Sequence, residues 1–330
     1  MLGWVRGAIY FLCGFAPVAT GLYTSVPRDS QAFDATLRSV RSCNVLFVGP
    51  SYVRDGVKPQ VFEREAKQLG SELRACKYGL SSLKGYELRR DLEVLLRAPW
   101  QKLELVVIDI TLGTGLSFEE DNWFKARVVD WHTKDSLPWL YAFYRQEGLR
   151  GLGLARTLAP HFAHVALNYL GVGRGVSLLE RASLLDRYRS TPRHVRQDYE
   201  PRTPSVRATR KLHGPEYPGQ VQALLAAKLQ ARDEHDEISD AWARDLERVV
   251  RDHGYEVAFL LAPVLRLKLP PQATRAGAPP LSILDFDDPQ EYPELYASDR
   301  RGYTNHLNDL GAADYSRLLA REIVRHKLAR

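Results

Sequence analysis

From Asn44 onward the chain alternates short apolar runs with longer segments of helical period. "NVLFVG", residues 44–49, is apolar almost throughout and rich in β-branched and aromatic side chains, the composition of a parallel strand buried on both faces. "VKPQVFEREAKQLG" then predicts a helix that stops at Gly70, where glycine suits the residue after a helix end. "ELRACKYGL" predicts a second strand ending at Gly79, "GYELRRDLEVLLRAP" a helix with leucines on one face, and "LELVVIDITLG" a third strand. After an interruption the rhythm returns. "ISDAWARDLERVVRDHG" reads as an amphipathic helix carrying Ile238, Trp242, Leu246, Val249 and Val250 on one face. "YEVAFLLAP" and "LSILDFDD" read as the fourth and fifth strands, and "LGAADYSRLLAREIVRHKL" as a closing helix. This alternation predicts an α/β fold, a doubly wound parallel sheet of about five strands of the flavodoxin-like kind.

The interruption, at about 120–235, differs in texture. "PWLYAFYRQEGLRGLGLARTLAPHFAHVALNYLG" reads as helices punctuated by glycine and proline, an inserted helical region. The stretch from Arg187 to Pro218, rich in arginine and proline and poor in aliphatics, reads as an exposed loop. Residues 1–30 form a third texture. Arg6 is followed by an uncharged, mostly apolar run from Gly7 to Val26, closed by Pro27 and Arg28. About 20 uncharged residues suffice to cross a bilayer as a helix, so an N-terminal membrane anchor is expected; Ala19 and Gly21 leave a cleaved signal open. Residues 31–330 would then form one extracytoplasmic α/β domain containing the insertion.

Composition adds limits. The 330 residues are 45% hydrophobic and 26% charged, an ordinary globular balance with enough apolar material for a large core. The net charge of +6 is spread along the chain and suits an anionic partner such as a membrane surface or an acidic polymer; no nucleic-acid partner is expected. Cys13, Cys43 and Cys76 make no disulfide framework and no metal-type spacing. Were the strands near Cys43 and Cys76 neighbours, one disulfide could form, with two separate buried thiols as the other reading. "DWHTKD" and "RDEHDEISD" place His132 and His235 near acids without metal-site spacing, and no metal or cofactor is expected.

Open parallel sheets bind ligands beyond the carboxyl ends of their strands. That rule points to Ser51 after the first strand, Gly79 after the second, Thr111 and Gly113 after the third, Pro263 after the fourth, and the loop "SDRRGYTNHLNDLGA" before the last helix. A serine hydroxyl needs a base within hydrogen-bond reach, and His306 in that loop can take and return a proton near neutral pH. The sequence around Ser51 is not a nucleophile elbow, since Val53 stands where G-x-S-x-G requires glycine. The bland reading makes Ser51 a turn or cap residue and Asn308 with Gly311 the start of the last helix.

"VLFVGPSYVRDGVKPQVF" resembles the first block of the SGNH (GDSL-type) hydrolases, "CKYGLSS" the second and "NHLNDLGAADYSRLLAREI" the last. The resemblance covers the two ends of the chain and leaves the helical middle unmatched. It implies Ser51 as nucleophile, His306 as base, and Gly79 as an oxyanion group. Two positions depart from the family pattern. Tyr303 stands three residues before the histidine, where an acid is usual, leaving Asp299, seven residues upstream of His306, as the nearest candidate. The asparagine after the third strand is missing from "IDITLGTG", leaving Asn122 or Thr111 to substitute. Members with a membrane segment and G-x-S in place of G-D-S are similar to proteins associated with envelope and exopolysaccharide acylation. The implied function is therefore an acyl esterase or O-acyltransferase acting on such a glycan, with a membrane-bound acyltransferase as a further partner. A catalytically degenerate glycan-binding or scaffold protein is the alternative, and a lipid acylhydrolase a third reading.

Overall fold

The computed structural model describes residues 17–18, 20–21, 36–38, 40, 42–80, 83, 85–111, 128–129, 132–146, 148–171, 216–230, 237–265, 280–303, 306–326 and 328. In chain order the elements are β1 (Val45–Gly49), α1 (Ser51–Gly56), α2 (Pro59–Gln68), β2 (Ala75–Gly79), α3 (Gly85–Leu96) and β3 (Leu105–Asp109). Then come α4 (Ser136–Gln146), α5 (Gly151–Tyr169), α6 (Glu216–Gln230), α7 (Glu237–Asp252), β4 (Glu256–Leu261) and β5 (Ile283–Asp285). Two 3₁₀ turns, Pro293–Tyr296 and Ser298–Arg300, lead into β6 (Arg301–Tyr303), β7 (His306–Leu307) and the last helix, α8 (Asp309–Arg325).

Strands β1 to β5 form one sheet in the order β2-β1-β3-β4-β5, every pair parallel. The expected α/β fold with a five-stranded parallel sheet is therefore present. β1 and β3 are buried at all five positions, as required of strands covered on both faces. Val45, Phe47, Leu105, Val107, Ala258 and Leu260 join a core cluster with Phe62 and Ala66 of α2 and with Tyr315, Leu319 and Ile323 of α8. The alternate residues Leu46, Val48, Val106 and Ile108 are equally buried and, by strand alternation, lie on the opposite face. At roughly 1.5–3 kcal/mol for each large apolar side chain removed from water, these strands carry much of the domain's stability.

Local signals set the element ends. Gly70 beyond α2 and Gly254 beyond α7 have φ of 82° and 84°, the left-handed conformation that glycine adopts without penalty. The short helix α1 is a departure from the expected loop after β1; Pro50 precedes it as N-cap. The two cysteines are also joined rather than separate: Cys43 and Cys76 form a disulfide, with Cα atoms 5.8 Å apart, between the segment leading into β1 and the edge strand β2.

The chain divides into two compact units, residues 1–31 with 116–193, and 32–115 with 194–330. The sheet lies in the second unit, and α6 belongs with it. In the first, α4 and α5 bury Leu140, Phe143, Leu154, Leu158 and Val165. Among the described residues no helix is long and apolar enough to cross a membrane, and the run from Gly7 to Val26 lies almost wholly outside them.

Candidate functional site

Ser51 is the first residue of α1, two positions after the carboxyl end of β1. Two glycines let this helix sit where it does. A Cβ on Gly49 would lie 2.6 Å from Asp109 Cβ and 2.7 Å from Val53 Cγ2; one on Gly79 would lie 2.5 Å from the backbone nitrogen of Arg54. Gly49 and Gly79 are register partners across β1 and β2, and the Leu80 N–H donates to the Gly49 carbonyl at 3.1 Å. Gly79 is thus the floor against which α1 rests, a reason for glycine that stands apart from any oxyanion role. Lys77 holds the other end of α1, donating through Nζ to the carbonyls of Arg54 and Val57, each at 2.6 Å. Burial lowers the Lys77 ammonium to about 8.

His306 arrives on a separate device. β6 and β7 form a two-stranded antiparallel ladder in which Tyr303 faces His306. Asn308 fastens this ladder to α8: its Oδ1 accepts from the Gly311 N–H at 3.0 Å as N-cap, and its Nδ2 donates to the Asp299 carbonyl at 2.6 Å. Gly311 makes the approach possible, since a Cβ there would be 2.3 Å from the Arg300 carbonyl oxygen. The helix-start reading of Asn308 and Gly311 is therefore correct, and the same contacts aim the histidine. His306 Nε2 lies 2.8 Å from Ser51 Oγ. The Tyr52 ring packs beside the imidazole with centroids 5.1 Å apart, and His306 Nδ1 is buried. With the proton on Nδ1, Nε2 accepts the serine hydroxyl proton, the arrangement of a base-activated nucleophile. A cavity beside the pair is lined by Tyr52, Asp55, Gly56, Ala262, Pro263, Leu307 and Tyr315.

The remaining expected site residues are placed differently. The Asp299 side chain is 66% exposed, and its Oδ2 accepts from Arg300 Nη1 at 2.7 Å, so the carboxylate is engaged with a guanidinium at the surface. Thr111 is buried at the end of β3; its Oγ1 accepts from the Ala262 N–H at 2.6 Å and its N–H donates to Asp109 Oδ1 at 2.8 Å, so it ties β3 to β4. Asn122 and Gly113 lie outside the described residues, as does the Tyr303 side chain.

The structure also brings forward groups that the sequence reading passed over. Asp109 closes β3 beside Gly49, fully buried, with Oδ2 lacking a hydrogen-bond partner, and burial pushes its carboxyl up to about 7. Tyr315, on the cavity wall, has a buried hydroxyl that likewise lacks a partner, and burial together with Asp109 raises it well above the usual phenol range. Asp287 accepts from Lys228 Nζ at 2.8 Å and from the Val264 N–H at 3.2 Å; burial raises it to about 6. The signal available in sequence was one acid inside the apolar run "VVIDI", which strand periodicity alone does not convert into a site. Asp55 follows Ser51 by one helical turn and meets the cavity, its two oxygens held by Arg54 Nε and Nη2 at 2.7 and 2.6 Å.

A second polar cluster lies in the helical unit. The Val128 carbonyl can only accept, so His132 Nδ1, 2.6 Å away, carries the proton and Nε2 of the neutral ring accepts. His161 Nδ1 then donates to His132 Nε2 at 2.9 Å, and His161 Nε2 accepts from the Tyr144 hydroxyl at 2.9 Å. His164 donates through Nδ1 to the Pro160 carbonyl at 2.8 Å, and Asn168 Nδ2 to the His132 carbonyl at 2.7 Å. No metal-holding group occurs among the described residues. Compared with known proteins, the chain matches no family model, and no curated protein matches it.

Proposed function

We propose that the chain is a serine acyl esterase or O-acyltransferase of the SGNH type, acting on an envelope or extracellular polysaccharide. The observation that carries this reading is the 2.8 Å contact between Ser51 Oγ and His306 Nε2, beyond the carboxyl end of β1 in an open parallel sheet. In the first half-reaction, Ser51 Oγ bonds to the ester carbonyl carbon while its proton passes to His306 Nε2. Collapse of the tetrahedral species breaks the ester C–O bond, and the departing alcohol takes that proton. Water or a sugar hydroxyl then attacks the acyl-serine, gives its proton to His306, and Oγ leaves with it again. Water makes the protein an esterase; a sugar hydroxyl makes it a transferase. The Ser51 N–H, at the first position of a helix where no preceding turn supplies an acceptor, is suited to the oxyanion, and Gly79 is the second group that the resemblance implies.

The disulfide supports a place outside the cytoplasm, where such bonds persist, in keeping with the apolar N-terminal run as membrane anchor. One observation favours the degenerate alternative, a glycan-binding or scaffold protein. Asp299 pairs with Arg300 at the surface, and Tyr303 stands at the position where the family usually has its acid. A fluorophosphonate probe separates the two. The wild-type chain should label covalently, Ser51→Ala not at all, and His306→Ala about 10²–10⁴ times more slowly. An unlabelled wild-type chain would leave the binding protein as the reading.

A further inference from the structure

Helix α5 buries Leu154, Leu158 and Val165 against its own unit and presents apolar side chains outward as well. The same inward side carries His161, His164 and Asn168, all buried, with His161 Nδ1 and Nε2, His164 Nδ1 and Asn168 Nδ2 in the hydrogen bonds described above. The outward side carries Leu152, Phe162, Tyr169 and Leu170, exposed by 76, 54, 55 and 42%, with exposed alanines between them. A water-facing helix keeps charged and polar residues outside, whereas an outward face of leucine, phenylalanine, tyrosine and alanine suits an apolar layer. The charge pattern agrees. From Arg150 to Gly171 the charged residues are Arg150 and Arg156, with no acid. Two cations at one end of an apolar face suit an anionic headgroup layer above acyl chains.

We propose that the outer face of α5 is a lipid-contacting surface, lying in the interface of an anionic bilayer without crossing it. α5 does not have the apolarity of a spanning helix, so the helix lies along the surface, its inward polar residues satisfied by their own unit. A protein partner would cover the same side chains, but the absence of any acid on this face and the presence of two arginines give the bilayer the better complement. The inference is independent of the ester chemistry at Ser51.

The test uses the full chain carrying Cys13→Ser, so that a cysteine placed at position 162 or 152 is the sole free thiol for an NBD fluorophore. Labelled chains are mixed with vesicles of phosphatidylcholine and phosphatidylglycerol, with or without a nitroxide on the acyl chain. Labels at 162 and 152 should brighten on binding and lose about half or more of that emission to the spin-labelled lipid. A label replacing Arg248, on an exposed side chain of α7, should respond to neither. Far-ultraviolet circular dichroism equal to that of the unlabelled chain establishes that the unit is folded. If the chain binds vesicles while labels at 162 and 152 stay as bright as the one at 248, the N-terminal run alone holds the membrane and the proposal is overturned. Failure to bind vesicles overturns it as well.

Discussion

Ser51 and His306 stand 255 positions apart and meet at 2.8 Å because each is held by backbone geometry before its side chain is considered. Ser51 is placed by a helix pressed against Gly79, and His306 by a strand pair fastened through Asn308. Below them, Asp109 sets a measurable pH dependence. Its folded carboxyl titrates near 7 and its unfolded one near 4, because burial penalises the charge. The raised folded value means that the protonated acid is the form the fold prefers. Its contribution to stability is full below pH 4 and is lost as pH rises toward 7, an effect on the order of 4 kcal/mol. Asp109→Asn keeps an acceptor for the Thr111 N–H and removes the charge. Urea midpoints measured at pH 5 and pH 8 should therefore fall less with rising pH in the variant than in the wild type. Asp285 and Asp287, also raised by burial, keep a residual slope in both.

Among the elements, the α4–α5 pair is built around a chain of neutral imidazoles whose proton order is dictated from the Val128 carbonyl to the Tyr144 hydroxyl. An added proton at His161 would keep its Nδ1–H and place a second N–H against the Tyr144 hydroxyl, putting a charge in a buried site. Burial, reinforced by His164, accordingly lowers His161 to about 4. A folded value below the unfolded one near 6.5 means that stability is complete above pH 6.5 and is lost as pH falls toward 4. Fluorescence of Trp139 in α4, followed from pH 7 to pH 4, should report loosening of the helical unit. His161→Gln, uncharged and able to hydrogen-bond at both ends, should move that transition to lower pH. An unchanged transition would show that His161 does not set it.

For the whole molecule, the sheet order among the described residues places β2 at an edge, and the Cys43–Cys76 bond fastens that edge to the segment entering β1. The bond closes a loop of 33 residues, for which chain-entropy arguments give about 3–4 kcal/mol. Reduction, or Cys43→Ser with Cys76→Ser, should lower the unfolding free energy of the sheet unit by that amount in a urea titration. Because Gly79 ends the same edge strand and supports α1, labelling at Ser51 should also slow after reduction.

Period and composition were enough to read the sheet: apolar runs of strand length separated by amphipathic helices leave few other ways to bury the same surface. The strand-end rule of a parallel sheet also pointed to Ser51 and His306 as candidates, since those ends converge on one edge whatever lies between. Other features depended on contacts between distant segments, which local pattern does not encode. Cys43 and Cys76 bonded because β1 and β2 are neighbours. α1 replaced the expected loop because Gly79 leaves room for its backbone. Asp299 pairs at the surface with Arg300, its neighbour in sequence. Asp109 and the histidines of α5 became buried polar groups because packing removed water from both. The sequence by itself determined which residues could form strands and helices and which could carry a proton; the tertiary structure decided which of them share a site, since burial and distance exist only once the chain is folded.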